Sequence, residues 1–104
     1  MYQVELGSTF GLRFQTQAYD EAAKSYVNVS PDIVYAQLED ISLQKIADLI
    51  VTEHPSETGT YDVYFNTSQV DVDIGSIYYI AFYWQYGGKD MCERVKIKVL
   101  YDVQ

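Results

Sequence analysis

The sequence predicts an all-β fold, with two antiparallel layers closed on a single dry core. Three observations carry that prediction. Apolar residues recur at every second position through most of the chain, as strands with one dry and one wet face require. Aromatic residues make up 15% of the 104 residues, eleven of them Tyr, and such side chains favour pleated, half-covered surfaces. The six Gly and two Pro fall mostly between the apolar runs, where turns belong.

The elements follow in order. Tyr2, Val4 and Leu6 alternate with Gln3 and Glu5 until Gly7-Ser8-Thr9 interrupts the run. Phe10, Leu12, Phe14, Thr16 and Ala18 make a second alternating strand, and Asp20 to Ser25 is a polar loop in which Glu21-Ala22-Ala23-Lys24 fits one helical turn. Tyr26, Val27 and Val29 precede a turn at Pro31-Asp32. Val34, Ala36 and Leu38 then alternate with Ile33, Tyr35, Gln37 and Glu39. Ile41, Leu43, Ile46, Leu49 and Ile50 fit either a short helix or an irregular strand; β neighbours on both sides favour a strand over 46–53.

His54 to Gly59 is a turn cluster, after which Tyr61, Val63 and Phe65 alternate, and Asn66 to Asp73 is polar and turn-like. Ile77 to Trp84 is apolar or aromatic on both faces, the mark of a central strand covered at least partly on each side. If Tyr78, Ile80, Phe82 and Trp84 fill the core face, Ile77, Tyr79, Ala81 and Tyr83 lie opposite. Gly87-Gly88-Lys89-Asp90 is a hairpin connection. Val95, Ile97 and Val99 alternate with Arg94, Lys96 and Lys98, and the lysines read as a protected sheet edge. The sum is one domain over residues 1–104, a sandwich of about seven to eight short strands.

Charge narrows the partners. The net charge is −8 and the seven basic residues are nowhere adjacent, which disfavours nucleic acid and anionic membrane surfaces. No apolar run approaches the roughly 18 residues of a membrane span. The chain opens without a basic and apolar leader, and its single Cys92 forms no intrachain disulfide, so a cytosolic setting is expected.

Catalytic chemistry is hard to assemble from this sequence. His54 is the only histidine and reads as an exposed loop residue, while Cys92 reads as a half-buried, inert thiol. Asp71 and Asp73, with Asp62 and Glu57 nearby, invite comparison with a calcium site, but their spacing is not that of a calcium loop and a solvated acidic turn is favoured. Gly87-Gly88 lacks the frame of a phosphate cradle. The sequons at Asn28 and Asn66 matter only for a secreted eukaryotic chain. No enzyme, cofactor or metal is expected.

A resemblance enters at Gly59-Thr60-Tyr61-Asp62-Val63-Tyr64-Phe65 and Gly75-Ser76-Ile77-Tyr78-Tyr79-Ile80. This pattern resembles the later strands of immunoglobulin-like modules in bacterial and phage surface proteins. Val34-Tyr35-Ala36-Gln37-Leu38 and the strands before it resemble their first half. The resemblance implies an immunoglobulin-like antiparallel sandwich. It also implies a place in a phage virion, as a capsid decoration or tail-associated protein assembled in the host cytoplasm, with other virion proteins or further copies as partners. Tyr78, just after the turn at Gly75, reads either as a tyrosine corner bonding a nearby backbone group or as an ordinary core aromatic.

The surplus of tyrosine gives the surface its expected role. Tyr19, Tyr35, Tyr64, Tyr79, Tyr83 and Tyr86 are the interface candidates, since outward Tyr covers large area at low entropic cost. The competing reading is cross-strand aromatic pairing that only stiffens the sheet. The expected function is non-enzymatic docking through sheet-face aromatics and end loops. The alternative is a carbohydrate- or receptor-binding module, with Trp84, Tyr83 and Tyr86 as a stacking platform. A protease-inhibitor reading of the His54 to Gly59 loop ranks below both.

Overall fold

The computed structural model describes residues 1–100. It contains β1 (Tyr2–Glu5), β2 (Thr9–Gln15), β3 (Gln17–Asp20), β4 (Ser25–Asn28), β5 (Ile33–Glu39), β6 (Lys45–Glu53), β7 (Thr60–Asn66), β8 (Ile77–Tyr86) and β9 (Lys89–Leu100), with one 3-10 turn at Thr67–Gln69. The all-β expectation holds, with nine strands in place of seven or eight. Seven strands form one sheet in the order β1-β9-β8-β5-β6-β7-β2, while among the described residues β3 and β4 pair only with each other.

The long sheet folds over at β6. Residues from Lys45 to Leu49 pair with β5, and Ile50 to Glu53 pair with β7. One strand therefore passes from the larger layer to the smaller one, and the sheet nearly closes on itself. Period-two side chains from both layers meet inside. Phe10, Leu12 and Phe14 of β2 stand beside Phe65, Val63 and Tyr61 of β7. Tyr78, Ile80, Phe82 and Trp84 face them from β8, and all four are buried. Phe82 is the centre: its ring stacks on Phe14 at 4.7 Å and 1°, with Tyr61 5.9 Å away.

Three expectations need correction. The sheet is mixed, because β1 runs parallel to β9, with Tyr2 beside Ile97 and Val4 beside Val99. The Lys-bearing β9 is an edge only in part: β1 covers Ile97 to Leu100, so Lys98 lies inside the sheet, while among the described residues Lys89 to Lys96 have only β8 beside them. The strand expected from Phe10 to Ala18 breaks at Thr16. Its backbone N–H donates to the Gly59 carbonyl at 2.8 Å and its carbonyl accepts from Val29 at 2.9 Å, so β3 leaves the sheet as the first arm of a hairpin. The alternation of side chains continues through Thr16, which is why the pattern alone reads as one strand.

Gly59 makes that departure possible. Its φ is +75°, and a Cβ there falls 2.7 Å from the Val29 carbonyl oxygen and 3.0 Å from that of Thr16. Gly59→Ala is therefore expected to lose about 2 kcal/mol or more, from left-handed strain together with the clash. Amide exchange should accelerate first at residues 16 and 29, whose N–H groups donate across the junction. A melting temperature equal to wild type would show that the junction is not tight.

Tyr78 takes a defined polar contact. Its ring is buried and its hydroxyl accepts the Asp73 backbone N–H at 2.7 Å, across the turn that precedes β8.

Candidate interaction surface

The outer face of the larger layer is built by the residues of β8 that point away from the core. Across it run three rows. Tyr35, Tyr83 and Cys92 stand side by side, then Gln37, Ala81 and Arg94, then Glu39, Tyr79 and Lys96. Tyr35 and Tyr83 stack at 5.0 Å and 13°, and the Lys96 ammonium sits 5.8 Å from the Tyr79 ring centroid. Ala81 supplies the low point of the middle row. Arg94 reaches from β9 across it and donates from Nε to Glu39 Oε1 on β5 at 2.9 Å.

Glu39 is 0% exposed, although alternation placed it on the wet face of its strand. Its carboxylate accepts from Tyr83 Oη, Arg94 Nε and Gln37 Nε2. Arg94 Nη2 also donates to Tyr83 Oη at 2.8 Å. Burial alone pushes the Glu39 pKa up, but the three donors outweigh it and hold the carboxyl below its ordinary value. Burial, then the bond to Glu39, pushes the Tyr83 phenol up to about 12. The charge is paired and its hydrogen bonds are made, so this cluster locks the sheet face and offers no free base.

A second group of aromatics lies at one end of the molecule. Tyr19 on β3 faces Tyr26 on β4, edge to face at 5.5 Å and 66°. Both are exposed, and no core needs them. Tyr86, at the end of β8, joins them around a cleft of about 510 Å³ that also takes in Gln17, Lys89 and Met91. Met91 also borders a neighbouring depression of about 450 Å³ lined by Ile33, Tyr35, Tyr83 and Asp90. The two hollows border Met91 from opposite faces of the β8–β9 hairpin, so the hairpin arm, the β8–β9 turn and the stacked tyrosines crowd one end of the molecule.

The structure thus gathers Tyr19, Tyr35, Tyr83 and Tyr86 at one end. Tyr79 lies further along the same sheet face under Lys96. Tyr64 stands apart on β7, exposed on the outer side of the other layer. Sequence reasoning missed Tyr26, exposed at the arm cleft, and Ile33, exposed at the neighbouring depression. The available signal for Tyr26 was its mirror placement with Tyr19 about the polar loop, which a hairpin brings into register.

Other candidates are displaced. Trp84 is buried at 9% exposure in the core, so the stacking platform expected from Trp84 with Tyr83 and Tyr86 is not assembled. Cys92 is exposed rather than half-buried, because its row lies on the outer face beside Tyr83. Partial burial nonetheless pushes its thiol pKa up, which works against reactivity. His54 is half-buried in its loop, its Nδ1 3.2 Å from the Ser56 hydroxyl. Asp62 is held by Arg13 Nε at 2.8 Å. Among the described residues no three His, Cys, Asp or Glu side chains come together, and no helix is long and apolar enough to cross a membrane.

No protein-family model matches the chain, and no curated protein matches its sequence.

Proposed function

We propose that this chain is a non-enzymatic assembly module that docks on another protein through its aromatic end. The observation that carries this reading is the hairpin arm. Among the described residues β3 and β4 pair only with each other, and a lone two-stranded hairpin is marginal in water. Yet the arm carries Tyr19 and Tyr26 in the open, beside Tyr86 and Met91. Folding gains little from aromatics so placed, whereas an interface gains much.

The immunoglobulin-like reading is kept as part of the proposal. It is supported by the two layers joined through β6, by β1 lying parallel to β9, and by Tyr78 bonding the backbone five residues upstream, as tyrosine corners do. Placement in a phage particle, as a capsid or tail component, rests on resemblance to such modules.

Tyr19→Ser combined with Tyr26→Ser tests the docking reading. Both positions are exposed, so the melting temperature is expected to move by no more than a few degrees. Affinity for the protein that co-purifies with the tagged chain should fall about a hundredfold. Unchanged affinity at unchanged stability would contradict the proposal.

A further inference from the structure

Two strand edges are left open, and they face each other. β2 ends the sheet order on one side. On the other, β1 covers only Ile97–Leu100 of β9, so Lys89 to Lys96 have β8 on one flank and, among the described residues, no strand on the other. Among the described residues no backbone hydrogen bond joins β2 to β9. Arg13, Phe14, Gln15, Gln17 and Glu93 line one depression between them, of about 500 Å³, and Arg13 in it is held by Asp62 at 2.8 Å. Paired strands lie about 4.8 Å apart, so a strand added to either edge sits at that spacing from it.

Burial along β9 shows where the layer stops being closed. Its inward row is Met91, Glu93, Val95, Ile97 and Val99, set against Trp84, Phe82, Ile80 and Tyr78 on β8. Ile97 and Val99, beside β1, are fully buried. Met91 and Val95 are only half-buried, and Glu93 is exposed although its position faces inward. Among the described residues no basic side chain lies within ion-pair distance of Glu93. An inward charge on an unpaired edge blocks indiscriminate pairing. It also defines what is admitted.

We propose that this seam accepts one extended segment of a partner protein, running parallel to β9 in continuation of β1, with apolar side chains beside Met91 and Val95 and a Lys or Arg beside Glu93. Backbone bonds to both edges hold such a strand, and the alternate side chains select it. The seam shares Met91 with the aromatic end, while Glu93, Val95 and the edge of β2 lie outside that end, so the two are tested apart.

The register of β1 makes the test definite. With Tyr2 beside Ile97, a Thr-Val-Thr-Lys-Thr-Val segment fused directly before Met1 places its last Val beside Val95, its Lys beside Glu93 and its first Val beside Met91. The fusion is expected to raise the melting temperature and slow amide exchange along β2 and residues 89–96. Replacing its Lys by Glu should remove most of the gain, and Glu93→Lys should reverse that preference. The same capped hexapeptide added to the unfused chain should shift backbone NMR signals of these two edges, binding about three- to tenfold better with Lys than with Glu. Three results would overturn the proposal: no edge protection in the fusion, no difference between the Lys and Glu peptides in either background, or filling by the fused strand with no binding of the free peptide.

Discussion

Phe82→Ala is expected to remove about 3–5 kcal/mol of folding stability, the largest single loss available in this chain. Phe82 is fully buried, and its ring bridges the two layers by stacking on Phe14 at 4.7 Å. Truncation leaves a void that Phe14, from an edge strand, and Tyr61 cannot fill without moving backbone. Small domains have about 5–15 kcal/mol in total, so the variant should melt about 12–40 °C lower, or fail to fold. Phe82→Leu separates shape from burial: it keeps most of the apolar area and should lose about 1–2 kcal/mol. A loss below 1 kcal/mol for the Ala variant, read by denaturant titration, would show that the layers do not close on this ring.

Arg94→Met should produce the second large effect, with a distinctive pH dependence. It strands the Glu39 carboxylate, which is 0% exposed, without its cation. Breaking a buried pair costs about 3–5 kcal/mol; here about 2–3 kcal/mol is expected at neutral pH, because Arg94 itself is 34% exposed and partly solvated. In the wild type the Glu39 pKa is held below its ordinary value. Its contribution is therefore present above the unfolded carboxylate pKa and is lost as pH falls through the folded one. In the variant, burial remains while the one charged donor is gone, so the Glu39 pKa rises and protonation relieves the stranded charge. The gap in melting temperature between the two proteins should be widest near pH 7 and narrow towards the ordinary carboxylate range. A gap that stays constant with pH would mean that the lost Arg94 contacts, and not the charge, set the cost.

The two effects differ in how far the sequence foretold them. Phe82 was legible: period-two spacing marks its face of β8, and an apolar run with no wet side marks a central strand. Glu39 was not. Alternation places it on the wet side of β5, and only the register of three strands, with Ala81 as the low point between Gln37 and Arg94, brings its partners over it. Strand order is non-local information, so the parallel pairing of β1 with β9 and the covering of the Ile97–Leu100 end of β9 were equally hidden. The lysines of β9 look the same on an edge strand as on the solvent face of an inner one.

The candidate surface was half legible. Outward tyrosines follow from alternation, and Tyr19, Tyr35, Tyr83 and Tyr86 do meet at one end of the molecule. Their gathering depends on the break at Thr16, which turns β3 and β4 into an arm. That break is written in Gly59, more than forty residues away, whose missing side chain admits two carbonyl oxygens.

Site-directed photo-cross-linking tests the docking role of the arm most directly. Tyr26 and Ile41 are matched controls, at 69% and 70% exposed, one on the arm and one outside the aromatic end. A benzophenone amino acid at each position, in the chain as its own source expresses it, reports what lies against that position. A single defined protein adduct from position 26 and none from position 41 is the expected result. Equal adducts from both positions, or none from position 26, would contradict a docking role for the arm.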